Sequence, residues 1–459
     1  MSDAQREFSS FRDPSGVVFF HDGTLYRQIN TCYQKQYQAL MQSGLYEELT
    51  KSGDLIRHTE TEASALTEGA YRVICPDRVP MISYPYEWSF SMLKDAAAAT
   101  LRIHRAALEK GMILKDASAY NIQFVDGHAT LIDTLSFDFY SDGQPWIAYG
   151  QFCRHFLAPL FLMANIDIRL NLLLRDWIDG IPLDLAATLL NGKGGMFAKQ
   201  HIVWHAKAVK KHDEDGKKQT PTRTIKLPLA SHIALIESMM RGVERLSLPK
   251  VQTEWGDYYE STNYSRQAAA AKQSLVTAFL EQSAPKTVWD IGANDGRFSR
   301  LALQCGASVV ALDIDPLAVE RGYLWAKRAS KPLLPLLCDL TNPSPAIGFA
   351  CAERKSIFER QKPDCILALA VIHHLAISNN LPLPMIASWL ASLTDALIIE
   401  FVPKSDSQVE LLLKTRDDIF PDYTREGFET AFGTCFSIVK KEAIIDSERI
   451  LYFMKRTPS

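Results

Sequence analysis

The 459 residues have eight cysteines but no Cys-x-x-Cys pair, no long unbroken apolar run, and no large excess of charge of either sign. Each absence excludes something. Cys32, Cys75, Cys153, Cys305, Cys338, Cys351, Cys365 and Cys435 are scattered without partnered histidine spacing, so neither a zinc centre nor a disulfide framework is expected. Several fall in apolar strand-like runs and read as reduced core residues. The longest apolar run, Phe156 to Ile166, is about half the roughly 20 residues needed to span a bilayer. A net charge of −3 sets up no field that would draw nucleic acid or an anionic membrane. Met1 to Pro14 is polar and mixed in charge, unlike a signal peptide, so a cytoplasmic protein without a membrane span is expected.

What is present suits a globular chain of at least two domains. Hydrophobic residues make up 47% and charged residues 22%, enough apolar surface for sizeable cores, and single cores rarely grow past about 250 to 300 residues. Gly16 to Phe20 and Thr24 to Ile29 are strand-like runs joined by a His-Asp-Gly hairpin turn. A helical pattern covers Tyr33 to Lys51, and extended runs cover Tyr71 to Cys75 and Val79 to Tyr84. A helix with an alanine-rich face runs from Ser89 to Lys110, with Gly111 at its C-cap. Helical patterning follows from Trp146 to about Leu190, and Gly-Lys-Gly-Gly at 192–195 breaks it. Lys207, Lys210, Lys211, Lys217, Lys218, Arg223 and Lys226 then form a basic stretch, read either as a solvated loop or as a patch for an anionic substrate. A domain boundary is expected between about 195 and 250.

The most chemically specific stretch is Val288 to Arg297, Val-Trp-Asp-Ile-Gly-Ala-Asn-Asp-Gly-Arg. An apolar strand ends in a carboxylate and runs through a glycine-bearing turn into a helix, which lets backbone approach a ligand closely and aims helix N-terminal amides at it. From about Ser274 strand and helix patterns alternate. Seven strands are expected: Thr287 to Asp290, Ser308 to Asp313, Leu333 to Cys338, Asp364 to Ala370, Ala396 to Phe401, Phe436 to Lys440 and Ile450 to Lys455. On these residues the stretch from Trp255 to Arg456 resembles the class I S-adenosylmethionine-dependent methyltransferases. The resemblance implies a doubly wound, Rossmann-like α/β sheet. It also implies a cofactor site at Asp290, Gly292, Ala293, Asn294 and Gly296, with Asn294 where a glycine often stands. By the same resemblance Asp313 grips the ribose hydroxyls, Asp339 contacts the adenine amino group, and Ala370 belongs to the fourth motif, Leu369 to Leu375.

A glycine-rich turn also serves nicotinamide dinucleotides, but this one lacks the Gly-x-Gly-x-x-Gly spacing that a pyrophosphate needs. Methyl transfer asks the protein to align a nucleophile behind the methyl carbon and, where needed, to remove a proton. His373, His374 and Glu400 are candidates for that base, each with an alternative reading as pocket wall or core. Trp255, Tyr258, Tyr259 and Tyr264 form an aromatic entry that either covers the cofactor or packs as a helix face. No Asn-Pro-Pro-Tyr signature or placed cysteine identifies the acceptor. A small molecule or glycan is favoured and nucleic acid is not.

The N-terminal half carries a second signal. Asp116, Asn121 and Asp133 in Lys-Asp-Ala-Ser-Ala-Tyr-Asn and Leu-Ile-Asp have the spacing of a catalytic loop that resembles protein-kinase-like and aminoglycoside-phosphotransferase-like folds. The resemblance implies an α+β domain in which Asp116 is the base and Asn121 and Asp133 are magnesium ligands beside ATP. Departures accompany it: no glycine-rich phosphate loop, Arg27 where a lysine is expected, and no lysine–glutamate pair. The bland reading is that Asp116 and Asn121 cap a turn and Asp133 ends a strand. The expected plan is a kinase-like domain over 1–200 (small lobe about 1–85, helical lobe about 89–200), a helical and basic linker over 201–250, and a methyltransferase domain over 251–459. Function is read as methyl transfer, alternatively as a bifunctional kinase and methyltransferase, or as a methyltransferase whose N-terminal domain is a non-catalytic scaffold.

Overall fold

A computed structural model describes residues 4–208, 226–250, 252–253, 255, 264–414 and 417–458. Two compact units divide the chain, Met1–Val251 with Ala346–Lys355, and Gln252–Pro345 with Ser356–Ser459. Among the described residues no helix is long and apolar enough to cross a membrane.

The first unit opens on an antiparallel sheet of β1 (Gln5–Arg6), β2 (Gly16–His21), β3 (Thr24–Asn30), β4 (His58–Thr61) and β5 (Ala70–Pro76), in the order β1-β2-β3-β5-β4. Asp22 and Gly23, both at positive φ (50° and 75°), make the tight β2–β3 turn, the mirror-image geometry that matches strand twist. The helical pattern after Tyr33 divides into Gln34–Gln42 and Leu45–Ser52, because Gly44 between them sits at φ 78° and caps the second helix. Val79 to Tyr84 is not a strand. The Gln123 side chain accepts from Ser83 N (2.8 Å) and donates to Ser83 O (3.0 Å), taking the bonds a ladder would have supplied.

The long helix Phe90–Glu109 starts at Ser89, whose hydroxyl accepts from Met92 N, and buries its alanine-rich face. It leads into β6 (Met112–Leu114), the hairpin β7 (Ile122–Val125) and β8 (His128–Leu131), and β9 (Phe137–Phe139), which pairs with β6. Helices then dominate, from Tyr149 through Asn165 and on to Leu229–Arg245. Residues Ala346–Lys355 belong to this unit, where Arg12 forks onto Glu353 (2.7 and 2.9 Å) and Phe349 lies 5.8 Å from Phe11. Of the basic stretch, Lys207 and Lys226 are exposed, and Lys210, Lys211, Lys217, Lys218 and Arg223 lie outside the described residues.

The second unit is built on a seven-stranded mixed sheet. Its strands are β10 (Thr287–Ile291), β11 (Ser308–Asp313), β12 (Leu333–Leu337), β13 (Cys365–Ala368), β14 (Ala396–Phe401), β15 (Phe436–Ala443) and β16 (Ile450–Arg456). They lie in the order β12-β11-β10-β13-β14-β16-β15. The first five are parallel, and β16 runs antiparallel between β14 and β15. β13 stops at Ala368 rather than Ala370 because Ala370 adopts φ 54°. β10 and β14 are nearly all apolar and buried, as strands covered on both faces must be. Helices Arg266–Ser283, Arg297–Gln304, Pro316–Ala329, Leu383–Leu393 and Arg425–Gly433 supply the cover, and Val276, Phe279, Phe298, Leu367 and Phe453 share one core. Strand order reverses at β10, between β11 on one side and β13 on the other. In open α/β sheets ligands sit in the crevice outside the carboxyl ends of the strands at such a point. This is a doubly wound α/β fold with a mixed sheet.

Candidate functional site

A cavity of about 320 Å³ opens at that crevice. Its wall includes Asp290, Gly292 and Asn294 from one turn, and Asp313, Asp339 and Ala370, which the sheet brings to it from separate parts of the chain. Ala293 and Gly296 do not line it. Ala293 is buried in the core, and Gly296, at φ 81°, caps the helix Arg297–Gln304.

Backbone conformation explains why small or permissive residues occupy the turn. Gly292 sits at φ 68°, and a Cβ there would meet Val371 Cγ2 at 3.1 Å, so the wall is open because this position has no side chain. Asn294 takes φ 51°, a conformation asparagine tolerates better than most. Its amide N–H donates to Asp313 Oδ2 (2.7 Å) while its side chain donates to the Trp255 carbonyl (2.8 Å). Asp313 Oδ1 accepts from Asp315 N (2.8 Å), and Asp315 in turn caps the helix Pro316–Ala329 and accepts from Thr253 Oγ1 and Trp255 N. The Asp313 carboxylate is thereby fixed by two backbone donors. Asp339 is fixed likewise, its Oδ1 accepting from Thr341 N and Oγ1.

The electrostatics of these carboxylates are unusual. Burial, with the Asp313 charge adding to it, raises the Asp290 carboxyl to about 7, against the pull of its Ser299 hydrogen bond (2.7 Å) and of Lys272. Burial raises Asp313 to about 6. A cationic or hydrogen-donating ligand laid between them would relieve both, which is what an ammonium and two ribose hydroxyls offer. The carboxylate acceptors and the glycine cradle therefore fit S-adenosylmethionine.

The three candidate bases part company. His374 lines the cavity, its ring 5.1 Å from Trp255, and burial lowers it to about 4, so it is neutral at physiological pH. His373 is buried behind it, pushed well below the usual imidazole range by burial, with Nδ1 unpartnered. Glu400 is fully buried and does not line the cavity. Burial alone would raise its carboxyl, but Lys272 and Arg449 hold it below the usual range. Glu400 Oε2 accepts from Lys272 Nζ (2.7 Å) and Oε1 from Tyr264 OH, whose oxygen accepts from Arg449 Nη1 (2.6 Å) and Lys272 Nζ (3.1 Å). Arg449 also forks onto Asp406 (2.7 and 3.0 Å). Of the aromatic entry, Trp255 and Tyr264 line the cavity, and Tyr258 and Tyr259 lie outside the described residues.

Sequence reasoning missed Lys272, Arg449, Asp406 and Asp315. Only Asp315 had a local signal, Asp-Pro at a helix start. Lys272 reads as one more polar residue on a helix, and its partner is 128 residues away.

In the first unit, Asp116, Asn121 and Asp133 also converge. Asn121 Nδ2 donates to Asp116 Oδ2 (3.0 Å), and Asp116 Oδ1 accepts from Ser118 N (2.9 Å) and Gln151 Nε2 (2.8 Å). Burial and the neighbouring Asp133 raise the Asp116 carboxyl. The set does not fit a magnesium ion. Arg27 Nη1 lies 2.6 Å from Asp133 Oδ1, and Asp133 also accepts from Leu135 N (2.9 Å) and Ser136 Oγ (2.7 Å). Burial alone would raise Asp133, but the Arg27 charge holds it down. Among the described residues no group of three His, Cys, Asp or Glu side chains is placed to hold a metal ion.

No protein-family model matches the chain. Nodulation protein NoeA of Rhizobium meliloti (strain 1021) is 34% identical over 460 residues, spanning 98% of this chain and 96% of its own. Magnesium protoporphyrin IX methyltransferase ChlM of Synechocystis PCC 6803, solved with SAH, overlaps 44% of this chain and 93% of its own at 21% identity and a TM-score of 0.31. N-methyltransferase NodS of Bradyrhizobium japonicum WM9 overlaps 42% of this chain and 99% of its own at 12% identity and a TM-score of 0.33.

Proposed function

The chain belongs to the family of the nodulation protein NoeA, and on that premise we propose that it is an S-adenosylmethionine-dependent methyltransferase acting on a small-molecule or glycan acceptor. Carried over from the relative's name, the setting of that transfer is nodulation. The observation that carries the reading is the row of carboxylates at the tips of three adjacent parallel strands, Asp339 after β12, Asp313 on β11 and Asp290 on β10, all on one cavity wall. Adjacent strands lie about 4.8 Å apart, so an extended ligand laid across the tips meets the three in succession. Asp339 would hold the adenine amino group, Asp313 the ribose hydroxyls and Asp290 the ammonium.

The bound cofactor supplies an activated methyl group. What this chain does is orient and exclude water. Gly292 keeps the wall open beside Val371, and Trp255, tied to Asn294 and Asp315, closes it with its ring against His374. His374 presents a neutral imidazole to the acceptor side, a hydrogen-bond acceptor that orients an attacking hydroxyl or amine. Glu400 and His373 serve the wall from behind. Mass spectrometry of metabolites and glycans from cells with and without the gene tests the reading. A species that gains the mass of one methylene only when the gene is present supports it, and the absence of any such species counts against it.

For the first unit the geometry favours the non-catalytic reading over a magnesium-dependent kinase, on the single observation that Arg27 neutralises Asp133. Electron paramagnetic resonance of Mn²⁺ titrated with the full chain and ATP should show no bound ion that Asp133→Asn removes. Asp133-dependent binding would restore the bifunctional reading.

A further inference from the structure

We propose that Lys272, held in place by Glu400 and Tyr264, is the seat for the α-carboxylate of the cofactor's amino-acid end. The inference rests on the reading of the cavity as an S-adenosylmethionine site and adds to it a residue outside the glycine turn and the strand tips.

Strand order fixes which end of the cavity is which. From β12 to β11 to β10 the wall passes from Asp339 to Asp313 to Asp290, so a nucleoside over the first two leaves the remainder of the ligand over β10. At that end the helix Arg266–Ser283 presents Ala269, Lys272 and Gln273 to the cavity, three positions of one helical face, and Tyr264 precedes the helix. An amino-acid moiety is a zwitterion. It needs an acid for its ammonium and a cation for its carboxylate; the described wall offers Asp290 for the first and, for the second, the half-buried Arg297 and the buried Lys272, of which Lys272 is the one on the helical face over β10.

Lys272 is placed for the task. Its side chain is 5% exposed, and two of its three ammonium protons go to Glu400 Oε2 (2.7 Å) and Tyr264 OH (3.1 Å). The rings of Phe298 and Tyr264 lie 4.7 and 4.9 Å from Nζ and fix its direction. One N–H remains for the cavity. The charges behind it balance, since Arg449 and Lys272 face Glu400 and Asp406, so an arriving carboxylate meets a neutral cluster with a donor in front rather than a bare anion. Burial lowers the Lys272 ammonium and raises the Asp290 carboxyl to about 7, so a carboxylate beside the first and an ammonium beside the second would each offset part of that burial cost.

Calorimetry on the full chain with two ligands tests this. One is S-adenosylhomocysteine, and the other is the aminopropyl thioether of adenosine, which lacks only the carboxylate. Wild type should bind the second about tenfold or more weakly, the loss expected for one charge-assisted hydrogen bond. Lys272→Met should lose a similar factor for S-adenosylhomocysteine and bind the two ligands alike. Tyr264→Phe, which keeps the ring, should fall between. If wild type binds both ligands equally, or if Lys272→Met weakens both by the same factor, the assignment is overturned while the cavity reading stands. If neither ligand binds wild type, the cavity reading itself fails. Should Lys272→Met not fold, Tyr264→Phe decides, because a preference for the carboxylate ligand that this variant leaves unchanged overturns the assignment.

Discussion

Asp290→Asn should make the second unit more stable and less able to bind its ligand. The native carboxyl is raised from the ordinary range near 4 to about 7, a factor of about a thousand in acid dissociation, equivalent to about 4 kcal/mol. The sign follows from proton linkage. Between about pH 4 and pH 7 the native state keeps a proton that the unfolded chain has lost, so native stability falls as pH rises through that window. Asparagine keeps an oxygen for the Ser299 hydroxyl and has no charge to bury. The variant should therefore exceed wild type at pH 8 by up to about 4 kcal/mol, and by only about 1 to 2 kcal/mol at pH 5. In a two-unit chain a global melt mixes transitions, so the readout is hydrogen exchange of β10 amides under mild denaturant, followed by mass spectrometry. Affinity for S-adenosylhomocysteine should fall in the same variant, the usual exchange of stability for function. A variant less stable than wild type at pH 8, or a difference that does not narrow at pH 5, refutes the reasoning.

Glu400→Gln removes the shared carboxylate of two buried cations and should cost about 3 to 5 kcal/mol in the same exchange assay. The wild-type advantage should be present at neutral pH and lost as pH falls through the lowered Glu400 value, because protonation then abolishes the charge in wild type too. Gly292→Ala places a Cβ at φ 68° and 3.1 Å from Val371, so it should cost about 1 to 2 kcal/mol and weaken S-adenosylhomocysteine binding together. Unchanged calorimetric affinity in that variant would mean the turn does not face the ligand.

Much of the second unit was legible because its information is local. Each buried strand is a short, mostly apolar run, and Asp290, Asp313 and Asp339 each stand at or just past a strand end, so spacing along the chain becomes adjacency across the sheet once the strands are parallel. What escaped has no local trace. The Lys272–Glu400–Arg449 cluster joins a helix to β14 and to the edge of β16, and Tyr264 meets Arg449 across 185 residues of sequence. Glu400 at a strand end looks like a catalytic acid until its two cations are seen. Val79 to Tyr84 has the composition of a strand, yet one distant side chain, Gln123, claims the backbone of Ser83. Arg27 was visible as a departure from the kinase-like pattern, but its ion pair with Asp133 was not, because β3 and the segment after β8 come together only in the folded unit.

The central claim is that the strand-tip carboxylates of β10, β11 and β12 enclose an adenosyl thioether or sulfonium. Isothermal titration of the full chain with S-adenosylhomocysteine, in wild type and Asp313→Ala, tests it most directly. Saturable one-site binding that Asp313→Ala weakens by about tenfold to a hundredfold, the loss of one or two charge-assisted hydrogen bonds, is the predicted result. No heat of binding in wild type, or binding that Asp313→Ala leaves untouched, would contradict it.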